Sequence, residues 1–112
     1  MTQYLVAIHH PDDFEPSSES PATRADISAL NREMQAAGVI VFVGGLAPVG
    51  EALSVRVKAG GGLVVSDGPY IESKEHIGGF WVLELAEREA ALEWGRKAAI
   101  ACRAPVEVRP FN

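Results

Sequence analysis

The chain has 112 residues, 47% of them hydrophobic, with a single cysteine and a formal net charge of −5 at pH 7. This length predicts one domain, residues 1–112, whose apolar content can form a core without disulfides. The acidic balance argues against a nucleic-acid partner, because phosphate binding requires clustered lysines and arginines. No secretory signal and no membrane-spanning segment are recognisable, so we expect a cytoplasmic protein that binds no membrane.

The chain begins with a predicted strand at residues 3–9, which are mostly apolar and favour β structure. Both of its faces are apolar, as expected for a strand in the middle of a sheet. Residues 10–23 contain three prolines and four acidic residues, which predict a long loop. Ser20 followed by Pro21 is typical of a helix start, and we expect this helix to end at Gly38.

Hydrophobic spacing predicts which side of this first helix faces the core. The inward stripe has three- and four-residue spacing and consists of Ile27, Leu30, Met34 and Ala37. A second strand, apolar on both faces, is predicted at residues 39–44.

The second half of the sequence predicts a hairpin, a strand, a helix and a final strand. The predicted ranges are 52–58 and 62–66 for the hairpin, then 79–85, 87–100 and 106–110. In the hairpin, Val55 and Val57 alternate with Arg56 and Lys58, and we expect the basic face to contact water.

The element order is therefore β-α-β, a hairpin, then β-α-β. This order predicts a ferredoxin-like α+β sandwich with an inserted hairpin. Since the central strands are apolar on both faces and two helices cover only one side of a sheet, the other side is expected to be covered by homodimerisation.

Residues 65–80 hold the densest group of ionisable side chains in the sequence. Asp67 precedes Gly68-Pro69, where its carboxylate is expected either to accept turn N–H groups or to act as a general base at the rim of a pocket. Four further side chains are expected either to contact a small-molecule ligand or only to hold the loop in place: Tyr70, Glu72, Lys74 and His76.

His9 is the second catalytic candidate, because an imidazole titrates near neutral pH and can transfer protons. The chain has three histidines, His9, His10 and His76, which with Asp67 or Glu72 offer ligands for a metal ion. Their spacing matches no metal signature. We therefore expect neither a metal site nor an organic cofactor.

Several of these residues form a pattern that resembles a known family. The pattern consists of Asp67-Gly68-Pro69-Tyr70, Glu72, Lys74-Glu75, Ile77-Gly78-Gly79-Phe80 and the terminal Val106-Glu107-Val108-Arg109-Pro110. Together with the element order, it resembles the DGPF branch of the YCII-related family over almost the whole chain. The resemblance implies a dimeric α+β barrel, in which two protomers bring their open sheet faces together.

The resemblance does not assign a reaction. Relatives in the YCII group pair a histidine at the start of the first helix with an aspartate, whereas this helix offers Arg24 and Asp26 and no histidine. Three hypotheses follow: a small-molecule enzyme using His9 or Asp67, a ligand-sensing module associated with transcription, and a motif that only stabilises a dimer. The enzyme of the first hypothesis would use no organic cofactor.

Overall fold

The computed structural model describes all of residues 1–112 and contains eight main elements in the predicted order. Their bounds are β1 Thr2–Pro11, α1 Pro21–Ala37, β2 Ile40–Gly45, β3 Leu53–Val57, β4 Leu63–Asp67, β5 Glu75–Leu85, α2 Arg88–Cys102 and β6 Val106–Pro110. Single 3-10 turns occur at Pro16–Ser18 and Val49–Glu51. Neither α-helix is long and apolar enough to cross a membrane.

The main sheet has four antiparallel strands in the order β2-β5-β1-β6. This order, with both helices packed on one side, is the ferredoxin-like α+β fold that the sequence predicts. In the centre of the sheet, Val6 of β1 lies opposite Trp81 of β5 and Val108 of β6. These side chains face the helices and belong to the hydrophobic core.

Helix α1 begins and ends as the sequence predicts. The hydroxyl of Ser20 accepts a hydrogen bond from the Thr23 N–H at 3.1 Å, and Gly38 ends the helix in the left-handed conformation at φ 70°. Leu30 and Met34 are buried against the sheet, whereas Ala37, predicted on the same stripe, is exposed in the last turn.

Helix α2 packs closely on the sheet because small residues form its inner face. Ala91, Gly95 and Ala98 are buried. A Cβ at Gly95 would lie 2.5 Å from the Val108 Cγ2 atom, so only glycine allows this separation between α2 and β6.

β1 and β5 are longer than their sequence patterns indicate. Their pairing continues past a register shift after Ile8, so that His10 lies opposite His76 and Pro11 opposite Glu75. Residues 75–78, expected in a loop, are therefore strand. Glycine and charged residues disfavour strands locally, but the β-bulge and the pairing with β1 outweigh this preference.

The hairpin of β3 and β4 is a separate two-stranded sheet. Its strands make most of their contacts with each other and few with the sandwich. The radius of gyration is 16.0 Å, compared with about 13 Å for a compact domain of about 100 residues. The hairpin therefore projects from the body of the protein.

The main sheet also has an open face, which no helix covers. We define the open face by the side chains that alternate with the core residues along the four strands: Leu5, Ala7, His9, Phe42, Phe80, Val82, Glu84, Glu107 and Arg109.

Candidate functional site

At the end of β1, the imidazole of His10 stacks on the ring of Phe14. The ring centroids are 3.8 Å apart and the planes differ by 5°. Phe14 is brought back toward the strand by a turn in which its N–H donates to the Pro11 carbonyl at 3.0 Å. A Cβ at Gly78 would overlap the His10 ring, so the bulge in β5 needs glycine to make room for the stack.

Beside this stack lies an open cavity of about 270 Å³, which we call the His10 cleft. It lies between α1 and the ends of β1, β2 and β5. Its main side chains are Ile8, His10, Phe14, Pro16, Glu19, Ile27, Asn31 and Trp81, and residues 43–46 and 78–80 complete it. Mostly apolar walls with a few polar groups are typical of small-molecule sites.

Two polar groups of the His10 cleft have unused hydrogen-bonding capacity. The Asn31 side-chain oxygen accepts a hydrogen bond from Trp81 Nε1 at 2.8 Å, which fixes the amide and leaves its NH2 group without a protein acceptor. The Glu19 carboxylate, half-buried, makes no ion pair and accepts no hydrogen bond from the protein. No lysine or arginine lines this cleft.

The surroundings of His10 favour the neutral imidazole. Burial lowers the pKa of His10 below its ordinary value of 6.5; the nearby Glu19 charge acts in the opposite direction, and His9 lowers it further. His10 is therefore neutral at pH 7 and can accept a proton, with the Glu19 carboxylate near enough to stabilise the imidazolium that forms.

A second open cavity, of about 310 Å³, lies on the other side of the His10–Phe14 stack. Glu19 lines both cavities, and the second one also contacts Cys102 and Arg103. Burial, with a smaller contribution from Glu19, raises the pKa of the Cys102 thiol to about 11. Arg103 pairs with Asp26 at 2.9 Å. Cys102 is therefore a protonated, buried thiol rather than an activated nucleophile.

His9 lies on the opposite face of the sheet from His10, because successive side chains of a strand alternate. On the open face its Nε2 is 3.7 Å from a Glu107 carboxylate oxygen. Glu107 in turn pairs with Arg109 at 2.9 Å. His9 therefore does not line the His10 cleft, but it borders the second cavity together with His10 and Glu19.

Of the predicted ligand-binding residues, only His76 lies beside His10, directly opposite it on β5. Tyr70 is exposed, and the Arg56 guanidinium lies over its ring at 5.0 Å. Glu72 and Lys74 are exposed and make no ion pair.

Asp67 is exposed at the end of β4, where it lies opposite Leu53 of β3. The turn after it is held instead by the backbone, with the Gly68 N–H donating to the Ala52 carbonyl at 2.6 Å. The structure therefore does not bring Asp67 together with His9. Nor does it contain a cluster of three or more histidine, cysteine or acidic side chains arranged for a metal ion.

Sequence reasoning missed Phe14, Glu19 and Asn31 as site residues. Phe14 and Glu19 lie in a stretch whose prolines and acidic residues predict only a loop, and Asn31 lies outside the predicted apolar stripe of α1. One signal in the sequence was usable: a histidine pair at a strand end and a double glycine, Gly78-Gly79, at the start of another strand. Glycine in a strand often marks a bulge or a close approach.

The architecture defines a ferredoxin-like α+β protein with a cleft at one end of its sheet. The family model of the YCII-related domain matches residues 1–112, the entire sequence. The chain belongs to the YCII-related family.

A relative from Rhizobium meliloti (strain 1021), named "Uncharacterized protein R00369", is 34% identical to this chain over 95 residues. The match covers 83% of this chain and 76% of that protein.

Proposed function

We propose that the His10 cleft binds a small molecule with an apolar body and a polar end that donates hydrogen bonds to the Glu19 carboxylate. The observation that carries this proposal is the cavity of about 270 Å³ in which apolar walls surround three polar side chains: His10, Glu19 and Asn31. A site of this volume suits a molecule at or below the small end of typical ligands, whose pockets range from about 300 to 1,000 Å³.

Charge further narrows the class of ligand. Glu19 is the only acidic side chain of the His10 cleft, and no lysine or arginine lines the cleft; the nearby Arg24 guanidinium donates to the Glu19 backbone carbonyl rather than to its carboxylate. A carboxylate in a partly apolar site favours a cationic ligand and disfavours an anionic one. The rings of Phe14 and Trp81 add surfaces on which a cation or an aromatic body can pack. We therefore infer an amphiphilic amine as the ligand.

The same geometry supports His10 as the proton-transfer group. A neutral imidazole can take a proton from a bound substrate, and Glu19 stabilises the resulting imidazolium. His9 is less suited to this role, since its imidazole faces Glu107 on the other side of the sheet. Asp67 is less suited because it is exposed on the projecting hairpin.

The test uses three probes that share one aromatic body and differ in charge: 2-phenylethylamine, 3-phenylpropionamide and 3-phenylpropionate. Binding is measured by calorimetry and by amide chemical shifts at pH 7.5. We expect the amine to bind at least about tenfold more tightly than the carboxylate, with the amide between them. The shift changes should centre on Phe14, Asn31 and Trp81.

Two variants separate this proposal from nonspecific binding. Glu19→Gln should abolish the preference for the amine, whereas Glu107→Gln, which removes a carboxylate from the opposite face, should leave it unchanged. Equal binding of all three probes, or shift changes confined to the open face, would contradict the proposal.

We also propose that the protein is a homodimer, formed through its open face. The support is that five of the nine side chains of this face are apolar, including Phe42, which is 52% exposed and packs against Phe80 at a centroid distance of 5.7 Å. The Asp67-Gly68-Pro69-Tyr70 motif further supports assignment to the DGPF branch, whose resemblance implies the same dimer. Sedimentation velocity between 1 and 100 μM, roughly the range in which weak and tight dimers are distinguished, tests this assembly.

A further inference from the structure

The His10 cleft is elongated, because it follows one side of helix α1. Ile27 and Asn31 lie four residues apart on the same face of this helix, and both line the cavity. Asn31 lies ten residues after Pro21, where the helix begins. At a rise of about 1.5 Å per residue, this is about 15 Å along the helix axis. The cleft therefore extends from Glu19, just before the helix, to the middle of α1.

The first end of the cleft, at the start of α1, offers a hydrogen-bond acceptor. Glu19 precedes the cap residue Ser20, and His10 lies beside it, since both Glu19 and His10 line the cleft and the second cavity. The Glu19 carboxylate makes no ion pair, and an ionised carboxylate can only accept hydrogen bonds. This end therefore suits the ammonium group of the proposed amine.

The second end of the cleft, at Trp81, offers a hydrogen-bond donor. Trp81 lies opposite Val6, four residues before His10 on β1. Its indole N–H can only donate, so the Asn31 atom that faces it at 2.8 Å is the side-chain oxygen. The Asn31 NH2 group then points away from Trp81 and has no protein acceptor. It is accessible, because no buried side-chain nitrogen or oxygen of the protein lacks a partner.

The free NH2 group of Asn31 limits what the far end of a ligand can be. An apolar group there would displace water from this donor and leave it unsatisfied, which weakens binding. A second ammonium group is disfavoured because it too can only donate. A carboxylate is disfavoured because no lysine or arginine lines the cleft to balance its charge. The second end therefore suits a neutral carbonyl oxygen.

We propose that the ligand of the His10 cleft is an elongated amine with a neutral carbonyl at the end opposite its ammonium group, as in an amino ketone or an amino amide. The ammonium group binds at Glu19, and the carbonyl oxygen accepts a hydrogen bond from the Asn31 NH2 group. This inference rests on the proposed amine site. It adds a second polar group to the ligand and the direction in which the ligand lies along α1.

The first experiment compares two amines that differ only in the acceptor. In 4-(2-aminoethyl)acetophenone a carbonyl lies across the ring from the aminoethyl group, and in 4-ethylphenethylamine a methylene group replaces that carbonyl. Calorimetry at pH 7.5 gives the two dissociation constants, and their ratio is the ketone advantage. We expect the ketone to bind the wild-type protein at least about threefold more tightly than the ethyl compound.

Two variants locate the carbonyl. Asn31→Asp removes the donor but keeps a side-chain oxygen that accepts from Trp81, and we expect the ketone advantage to fall at least about fivefold. Both probes carry the same charge, so the effect of the added carboxylate cancels in the ratio. The control, Glu19→Gln, should weaken both amines and change the ratio less than about twofold. The fluorescence of Trp81 in a Trp94→Phe background verifies that its surroundings are preserved.

The second experiment needs no substitution of Asn31. ¹⁵N-labelled wild-type protein is titrated with each probe, and the side-chain NH2 signals of Asn31 are followed. A hydrogen bond to a carbonyl moves the signal of the bonded proton downfield. We expect this change with the ketone and not with the ethyl compound. Asn112, which is exposed at the end of the chain, provides control NH2 signals that should not move.

The outcomes separate the carbonyl end from the amine site. Equal binding of 2-phenylethylamine and 3-phenylpropionate would overturn both proposals. A preference for amines with a ketone advantage that is absent, or unchanged by Asn31→Asp, would overturn only the carbonyl end. A ketone advantage that Glu19→Gln lowers as much as Asn31→Asp would also overturn it, because the carbonyl would then lie beside the ammonium group. Unmoved Asn31 NH2 signals at saturation with the ketone would have the same consequence.

Discussion

In the His10 cleft, side chains that are distant in sequence come together from β1, the following loop, α1 and β5. The segment from Asp67 to Lys74 instead carries its ionisable side chains close together in sequence, along an exposed connection. The two regions contain similar chemical groups. They differ in burial and in convergence: His10 and Glu19 are half-buried and share one cavity, while Glu72 and Lys74 face water. A site therefore depends on which groups the fold brings together, rather than on how many stand close in sequence.

Among the substitutions that test this difference between the His10 cleft and the exposed segment, we expect Gly78→Ala to have the largest effect. The added methyl group overlaps the His10 ring, so the stack on Phe14 must move or the bulge must open. We expect a loss of about 2 kcal/mol in the free energy of unfolding, as for other overpacked sites, together with weaker amine binding. Urea denaturation measures the first effect and calorimetry the second.

Gly45→Ala is the control for this substitution. No atom lies within 4 Å of the position of its Cβ, and its stability should change by less than about 0.5 kcal/mol. Equal destabilisation by the two substitutions would show that Gly78 has no special role in holding the His10 ring.

A somewhat smaller effect is expected from Asn31→Ala. This change removes the acceptor of the buried Trp81 N–H, and an unsatisfied buried donor costs about 1 to 2 kcal/mol. Ser28→Ala, at an exposed position of the same helix, should have little effect. Thermal unfolding compares the two variants, and similar stabilities would mean that water replaces the lost acceptor.

A third way to test the cleft uses pH. Because the pKa of His10 is lower in the folded protein than its ordinary value of 6.5, the unfolded chain binds the proton more readily. The contribution of neutral His10 to the free energy of unfolding is therefore fully present above about pH 6.5 and is lost as the pH falls through the pKa of His10 in the folded protein. We expect the unfolding free energy of the wild type to decrease in this range more steeply than that of His10→Gln. Parallel pH profiles would contradict this assignment.

The smallest effects are expected in the exposed segment. Asp67→Asn and Glu72→Gln should each change stability by less than about 0.5 kcal/mol and amine affinity by less than about twofold, because neither side chain lies in the cleft. A tenfold loss of amine affinity in either variant would contradict this comparison and would place the binding site in the exposed segment from Asp67 to Lys74.

Much of the fold could be predicted from the sequence because its signals are local. The cap formed by Ser20 and Pro21, the end at Gly38 and the apolar periodicity of α1 depend on neighbouring residues alone. The extent of β5 could not be predicted in this way. Residues 75–78 become strand only through pairing with β1, and their own composition favours a loop.

The site was harder to predict for the same reason. Alternation along β1 places His10 on the same face as Val6 and Ile8, but it does not show which loop and helix residues meet His10 there. Glu19 and Asn31 belong to no sequence motif, and they matter here because they line the same cavity as His10. The predicted roles of Asp67 and His9 rested on residue type, which does not specify which groups meet.

Trp81 gives this protein a built-in optical signal. Its indole is 1% exposed, lines the His10 cleft and is hydrogen-bonded to Asn31, whereas the other tryptophan, Trp94, is half-buried on α2 with the Lys97 ammonium 4.9 Å from its ring centroid. A Trp94→Phe variant would therefore emit from the cleft alone. Its fluorescence would report occupancy of the cleft at micromolar protein concentrations without any attached dye.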